Sequence, residues 1–373
     1  MGYEEEIAGI RAKIDSIDAQ IVPLFEARMR SADEVAEIKK RYGQSVFDAG
    51  RENAVISRAL SRLQDAANDD ATRRFFKALM DLSKQRQHTH LPYPIDTDSD
   101  APPAIGYLGL RGSFSHIAAC EAFGEQSPLI SCDTFESIFE ALRNKDIGRA
   151  ILPAENTETG SITAVVDLLA RYGYYITAER LLKVSQSLLG IKGAKLEQIE
   201  MACSHPEPIA QCSRFLSAHP HISAYPALST AQAASSVAKL GSKTVGCIAS
   251  AKAAKIYGLE ILADNIQNTK SNSTRFIIVA RKPALTAACD KTSVIFKLDH
   301  KPGALLELLR LFCDINILKL ESRPLAGRPF EYLFHLDFEG SIENKHIAQV
   351  IEQAKKQAAE LVWLGSYPRM TLV

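Results

Sequence analysis

The sequence contains no Cys-x-x-Cys pair, no excess of either charge and no long apolar run, and each absence removes a class of protein. Its cysteines, Cys120, Cys132, Cys203, Cys212, Cys247, Cys289 and Cys313, are scattered and odd in number. That spacing argues against a disulfide framework or a zinc site and for a reducing compartment. Lys plus Arg and Asp plus Glu both number 44, so the net charge is zero. Such a balance points to neither nucleic acid nor an anionic membrane as partner. No apolar stretch approaches the ~18 residues of a membrane span. The start, Met1-Gly2-Tyr3-Glu4-Glu5-Glu6, is acidic where a secretion signal carries positive charge, and a cytoplasmic location is expected. What remains is a globular composition, 46% hydrophobic and 24% charged over 373 residues, long enough for two to four domains.

The first ninety residues carry a helical pattern. Ile7, Ile10, Ile14, Ile17, Ile21 and Leu24 recur at threes and fours, and no glycine falls between Gly9 and Gly43. A helix of about 40 residues is predicted, ~60 Å long, with a kink at Pro23. Two further helices are expected near Ala49–Leu63 and Ala71–Thr89. So long a helix protrudes from a small all-α unit, and dimerisation is the natural remedy. Arg28 and Lys39 face the same way, being almost three turns apart, whereas Arg11 has a different azimuth. For all three to hold one small dianion, Arg11 must come from an antiparallel partner helix.

Arg11, Arg28, Lys39, Asp48, Arg51, Glu52, Ser83 and Gln87 stand in the order and spacing of the all-helical chorismate mutases. The resemblance covers roughly residues 5–90 and implies an intertwined dimer of three-helix chains. By that resemblance Arg11 of one subunit and Arg28 of the other hold the two carboxylates of chorismate. Lys39 and Gln87 face the ether oxygen, Glu52 and Asp48 the ring hydroxyl, and Arg51 and Ser83 complete the pocket. Lys39, Glu52 and Gln87 would be the catalytic members. A pericyclic rearrangement needs no nucleophile or base, only a clamp and donors where the breaking C–O bond gathers charge.

Leu91 to Pro103, with Pro92, Pro94, Pro102, Pro103 and Asp96, Asp98, Asp100, has the composition of an extended linker. Beyond it, short apolar runs alternate with helical patterns, the texture of an α/β fold. Gly106, Gly109 and Gly112 imitate a dinucleotide-binding turn, but at Gly-x-x-Gly-x-x-Gly spacing instead of Gly-x-Gly-x-x-Gly, which argues against a nucleotide cofactor. In Asn272-Ser273-Thr274-Arg275-Phe276, strand alternation puts Thr274 and Phe276 on one face and Arg275 on the other. The three serve one ligand only where the strand begins and its backbone is irregular.

That pentapeptide, with Gly109-Leu110-Arg111-Gly112-Ser113-Phe114-Ser115-His116, Pro153-Ala154-Glu155-Asn156-Thr157-Glu158-Thr159-Gly160 and Ser204-His205-Pro206 with Gln211, resembles the successive motifs of prephenate dehydratase over residues 104–282. Leu110, where the family usually has proline, and Gln186, where it often has histidine, depart from the pattern. The resemblance implies two lobes of periplasmic-binding-protein type, 104–182 plus 270–282 and 183–269, closing over prephenate. It makes Thr274 the proton donor to the departing hydroxyl and pairs Arg275 with a substrate carboxylate. Ser113, Asn156, Gln211 and Phe276 would line the pocket, with Glu155 and His205 holding the donor's network.

Residues 283–373 alternate as βαββαβ, with strands near Thr292–Leu298, Ile315–Leu320, Tyr332–Phe338 and Leu361–Leu364 and helices near Pro302–Cys313 and Ile342–Ala358. Gly303-Ala304-Leu305 and Glu321-Ser322-Arg323-Pro324 are similar to the ligand motifs of the ACT domain, an α+β module that binds phenylalanine between paired copies. The whole chain thus resembles a bifunctional chorismate mutase and prephenate dehydratase with feedback control by phenylalanine. That resemblance implies a homodimer or higher oligomer and small-molecule partners, with no cofactor or metal. A ligand-trapping sensor is the rival reading, weakened by the filled mutase positions. A mutase joined to a dehydrogenase lacks the nucleotide turn it would need.

Overall fold

The structure, a computed structural model, describes residues 3–42, 49–90, 103–325 and 328–369. It divides into a helical unit up to Pro94 and an α/β unit from Ile95 to Met370. No helix among the described residues is long and apolar enough to cross a membrane.

The helical unit consists of α1 (Tyr3–Tyr42), α2 (Ala49–Leu60) and α3 (Asp69–His90), with Pro23 inside an unbroken α1. Among the described residues, the buried apolar side chains of this unit are Met29, Ala32, Ala36, Ala59 and Met80, in the second half of α1 and its neighbours. The apolar stripe predicted from the first half is exposed from Ile10 onward, from 45% at Ile21 to 69% at Leu24. Among the described residues this face finds no cover.

In the α/β unit the first lobe is laid down by β1 (Ile105–Leu108), α4 (Phe114–Phe123), β2 (Leu129–Cys132), α5 (Phe135–Asn144), β3 (Arg149–Asn156), β4 (Gly160–Ser161), α6 (Thr163–Tyr172) and β5 (Tyr175–Lys183). The chain then crosses to a second lobe of β6 (Ser187–Gly190), β7 (Met201–Ser204), α7 (Pro206–Gln211), α8 (Ser213–Ala218), β8 (Ser223–Pro226), α9 (Thr230–Leu240), β9 (Val245–Ala249), α10 (Ala251–Tyr257) and β10 (Glu260–Ala263). It returns as β11 (Ser273–Ala280), which inserts antiparallel between β3 and β5. The first sheet runs β2-β1-β3-β11-β5 and the second β10-β6-β9-β7-β8.

Period-2 alternation explains how each sheet is covered. In the second lobe Leu189 and Cys247 pack with Ala233, Val237 and Ala253, while the adjacent Leu188 and Ile248 pack with Ile199 and Ile222 on the opposite side. Each leucine, isoleucine or valine among them contributes about 1.5–3 kcal/mol when fully buried.

The last segment, β12 (Lys291–Lys297), α11 (Ala304–Arg310), β13 (Ile317–Leu325), β14 (Arg328–Glu339), α12 (Lys345–Gln357) and β15 (Glu360–Tyr367), forms a sheet in the order β13-β14-β12-β15. Val294, Phe296, Leu336 and Phe338 face the helices through Leu308, Phe312, Ile347 and Ile351. The residues between them, Ile295 with Leu364 and Tyr367, join the core of the first lobe instead. There β15 lies against β5 so closely that a Cβ on Gly365, whose φ is +135°, would sit 2.3 Å from Ile176 O. Only glycine allows that approach.

Candidate active site

A cleft of about 400 Å³ opens between the two lobes. The first lobe brings Ser113, Asn156, Thr274 and Phe276 to it, the second brings His205, Gln211, Ser229 and Thr230, and the crossing segments bring Val184, Gln186 and Asn272. Thr274 pairs across the ladder with Asn156. Both are buried. The orientation of the Asn156 amide is fixed by its oxygen, which accepts from Glu158 N–H at 2.9 Å and Thr159 N–H at 3.2 Å. Its nitrogen is thereby aimed at Thr274 Oγ1, 2.9 Å away, and at Asn272 Oδ1, 2.8 Å away. With Oγ1 already accepting a hydrogen bond, the Thr274 hydroxyl proton is the part left to act toward the cleft.

Two helices start at the cleft, one from each lobe. Ser113 caps α4 and accepts from His116 N–H, while Ser229 caps α9 and accepts from Gln232 N–H. First-turn amides at Phe114, Ser115 and Thr230 lie beyond these caps, where a helix end favours negative charge. His205 caps the short α7, its ring nitrogen accepting from Glu207 N–H at 3.4 Å, and Gln211 Nε2 donates to Glu207 Oε1 at 3.3 Å. Leu110 is 41% exposed, and the loop around it is gripped by α10. Tyr257 Oη donates to Arg111 O at 2.7 Å, and Ser250 Oγ to Gly112 O at 3.2 Å.

Arg275 and Glu155 are not brought into this cleft. Residue 275 is paired on both sides, across from Glu155 of β3 and Leu181 of β5, with a register shift against β3 just after it, and its side chain turns away from the cleft toward Glu155, Glu179 and the C-terminal sheet. Its guanidinium sits 3.0 Å from Glu155, 3.2 Å from Glu179 and 3.3 Å from Asp337 of the C-terminal sheet. Lys291 closes the cluster at 2.9 Å from Glu179 and 3.0 Å from Asp337. Burial would raise Asp337, but His335, Lys291 and Arg275 outweigh it and hold this carboxyl well below its usual range. Burial acts likewise on Glu155, and Arg275 with Lys319 overcomes it. Arg275, expected to pair with substrate, is thus placed outside the cleft with its charge met by carboxylates of the protein itself.

The C-terminal motifs occupy α11 and β13. Gly303 is the left-handed residue before α11, Ala304 opens the helix, and Leu305 packs on the core beneath. Glu321 lies 3.3 Å from Lys319, and Arg323 reaches Asp167 of α6 at 2.6 Å. Ser322 and Pro324 are in β13 between and beyond them, paired with Phe334 and Tyr332.

In the helical unit, Arg28 donates to Leu79 O at 2.8 Å and to Ser83 Oγ. Burial, then the like charge of Arg51, holds this guanidinium below its ordinary value. Ser83 and Gln87 are buried, Gln87 with its amide oxygen unpartnered. Lys39 is half-buried and Arg11 exposed. Asp48 and the side chain of Glu52 lie outside the described residues.

The chorismate mutase type II family matches residues 10–88, and the prephenate dehydratase family residues 105–284. Over 382 residues the chain is 31% identical to the bifunctional chorismate mutase/prephenate dehydratase of Enterobacter agglomerans, with 100% of this chain and 98% of that one covered. The chain belongs to this bifunctional family. It is an isomerase and a lyase in one polypeptide, turning chorismate into prephenate and prephenate into phenylpyruvate on the route to phenylalanine. Among solved structures, the prephenate dehydratase of Arthrobacter aurescens in complex with L-Phe is 29% identical with a TM-score of 0.66, over 72% of this chain and 90% of that one. A protein described as a novel type of quorum quenching acylase is 30% identical with a TM-score of 0.65, over 71% and 97%.

Sequence reasoning passed over three features of the dehydratase cleft. Asn272, 1% exposed, shares the Asn156 amide with Thr274, and its place in the same motif was the available signal. Ser229 and Thr230 lack any signal beyond an ordinary helix cap. Gln186 was visible only as a departure from the family pattern.

Proposed function

We propose that Thr274 and Asn156 together drive departure of the prephenate hydroxyl, and that the substrate carboxylates lie at the first turns of α4 and α9. The observation that carries this reading is the fixed Asn156 amide, whose nitrogen serves Thr274 Oγ1 at 2.9 Å. As the ring C–O bond breaks, its electrons go to oxygen and those of the C–CO₂ bond become the new ring π bond. Carbon dioxide leaves, and the departing hydroxide takes up a proton to form water. Thr274 O–H donates to that oxygen, and the Asn156 N–H bond strengthens as charge reaches Oγ1. A dianion would here be held by backbone amides instead of a guanidinium, since no lysine or arginine lines the cleft among the described residues. Closure of the lobes about their two crossings would exclude water.

The helical unit, on this proposal, works as an antiparallel dimer. The bare stripe of α1 supports it, and so does the placement of Arg28, Lys39, Arg51, Ser83 and Gln87 in one chain with Arg11 exposed. Arg11 would then complete the chorismate site from the partner. The C-terminal βαββαβ segment is proposed to be the ACT domain. Gly303, Ala304, Leu305 and Glu321 to Pro324 would bind phenylalanine there, in keeping with the ligand of the Arthrobacter relative.

The test is Thr274→Ala, assayed with chorismate while prephenate and phenylpyruvate are both followed. Prephenate should accumulate at the wild-type rate and phenylpyruvate formation should fall by about 10²-fold or more. Undiminished phenylpyruvate would remove Thr274 from the mechanism.

A further inference from the structure

Gln186 lies where the chain first crosses from β5 to the second lobe, one residue before β6, and it is 1% exposed. Its backbone is held from both sides. The N–H donates to Gln267 Oε1 at 3.0 Å, and the carbonyl accepts from Ile266 N–H at 2.9 Å. Flanking hydroxyls pin the same strip, Ser185 to Asn265 at 2.7 Å and Ser187 to Asp264 at 2.6 Å. With its main chain so fixed, the residue cannot swing its side chain out to solvent without undoing those bonds.

The side chain lines the dehydratase cleft, yet neither its amide nitrogen nor its amide oxygen has a hydrogen-bond partner in the protein. Every other buried amide of this cleft is committed. Asn156 spends both ends on the Thr274 network, and Asn272 accepts from Asn156 and donates to Glu158 at 3.4 Å. A buried primary amide with nothing to bond costs roughly 1–3 kcal/mol, and natural proteins seldom keep one in place without a use. An apolar side chain of similar volume would fill this position at no such cost. The polarity of Gln186 is therefore directed at something other than the protein.

We propose that Gln186 is a substrate-binding residue of the dehydratase, its Nε2–H groups donating to an oxygen of bound prephenate. This rests on the reading of the cleft given above. The chemistry suits the site. Every oxygen of prephenate except the ring hydroxyl is acceptor only, the cleft offers no lysine or arginine among its described lining, and a neutral amide supplies donors without perturbing the proton held by Thr274. Because the amide is fixed by its backbone and not by side-chain bonds, it is free to rotate to the ligand, and its bonds form only when the cleft is filled. Gln186 thus sets affinity and substrate orientation, while Thr274 acts on the leaving group.

The experiment compares the full-length wild type with Gln186→Leu and Gln186→Glu. In Gln186→Leu, kcat/KM for prephenate should fall about 10- to 100-fold, mainly through KM, with conversion of chorismate unchanged. Its thermal midpoint should equal or exceed that of the wild type, because an unsatisfied amide has been removed. Gln186→Glu, of equal shape but bringing a negative charge toward a dianion, should bind prephenate more weakly still. Titration calorimetry with prephenate on a Thr274→Ala background, where the substrate is not consumed, reads binding apart from turnover. Equal affinity with glutamine and with leucine at position 186 would overturn the proposal, as would a lowered thermal midpoint with unchanged KM, the signature of a structural amide. Thr274→Ala that still turns prephenate over at the wild-type rate would instead refute the reading of the cleft on which the proposal rests.

Discussion

Replacing Asp337 with alanine would test how the C-terminal sheet is fastened to the first lobe. Asp337 is 1% exposed, and its carboxylate lies 3.3 Å from Arg275, 3.0 Å from Lys291 and 2.9 Å from His335. It also accepts from Ser293 Oγ at 2.6 Å. Removing one partner of a buried ion pair typically costs 3–5 kcal/mol, because the remaining charges stay desolvated. Glu179 and Glu155 still face Arg275, so the lower end, about 3 kcal/mol, is expected. For a unit of this size that is a drop of about 6–12 °C in thermal midpoint. The pH dependence gives a second reading. Asp337 is held well below its ordinary value, so its contribution is complete above the unfolded value of about 3.9 and declines as pH falls toward the folded one. Lys291 is shifted upward. Burial alone would lower it, but Tyr367, Asp337 and Glu179 outweigh burial. Its contribution is complete below about pH 10.4 and declines as pH rises toward the folded value. The stability gap between wild type and Asp337→Ala should therefore narrow below about pH 4 and above about pH 10. Calorimetric unfolding of both proteins across that range is the assay. A gap under about 1 kcal/mol at pH 7, or one that does not narrow below about pH 4, would refute the reasoning.

Other changes probe the two active sites and the thiols. Asn156→Leu should lower dehydratase kcat by about 10²-fold while leaving the mutase intact, measured by phenylpyruvate formation from prephenate and prephenate formation from chorismate. Mixing Arg11→Ala with Lys39→Ala subunits should recover part of the chorismate mutase activity that either variant lacks alone, because one of the two shared sites in a mixed dimer is then whole; no recovery places the site within one chain. Burial pushes the Cys212 and Cys247 thiols up to about 12, so at pH 8 only about 10⁻⁴ of each is thiolate. Iodoacetamide followed by mass spectrometry should therefore modify the exposed Cys313 long before either of them.

Much of the dehydratase cleft was legible because its motifs carry residues whose chemistry restricts where they go. Ser113 is a strong helix cap and does cap a helix at the cleft, while Thr274 and Asn156 meet because two apolar strands pair in the register that opposes them. The surroundings of Arg275 and Glu155 were not legible for the opposite reason. Strand alternation already put Arg275 on the far face, but only the tertiary structure reveals that this face is covered by Asp337, Lys291 and His335 from a segment far along the chain. The exposed isoleucines of α1 show a similar limit. Periodicity marks a surface to be buried, and what buries it is another matter. The first turn of α9, where a substrate carboxylate is proposed to lie, had no signature, since Ser229-Thr230 looks like any helix start.

The placement of β11 also bears on how the protein is made. This strand lies between β3 and β5, yet it emerges only after the whole second lobe has been synthesised. Until residue 280 is available, the two strands that flank it have an open seam where their central neighbour belongs, and pairing such as Val279 with Ala150 closes a loop of well over one hundred residues. Closure of that kind is slow. The second lobe, whose strands are all contiguous in sequence, can assemble first and bring the ends of that loop together. A truncated chain ending before residue 273 would lose its central strand along with Thr274, and a synthetic β11 peptide added to it in trans would be competing for a ready-made slot.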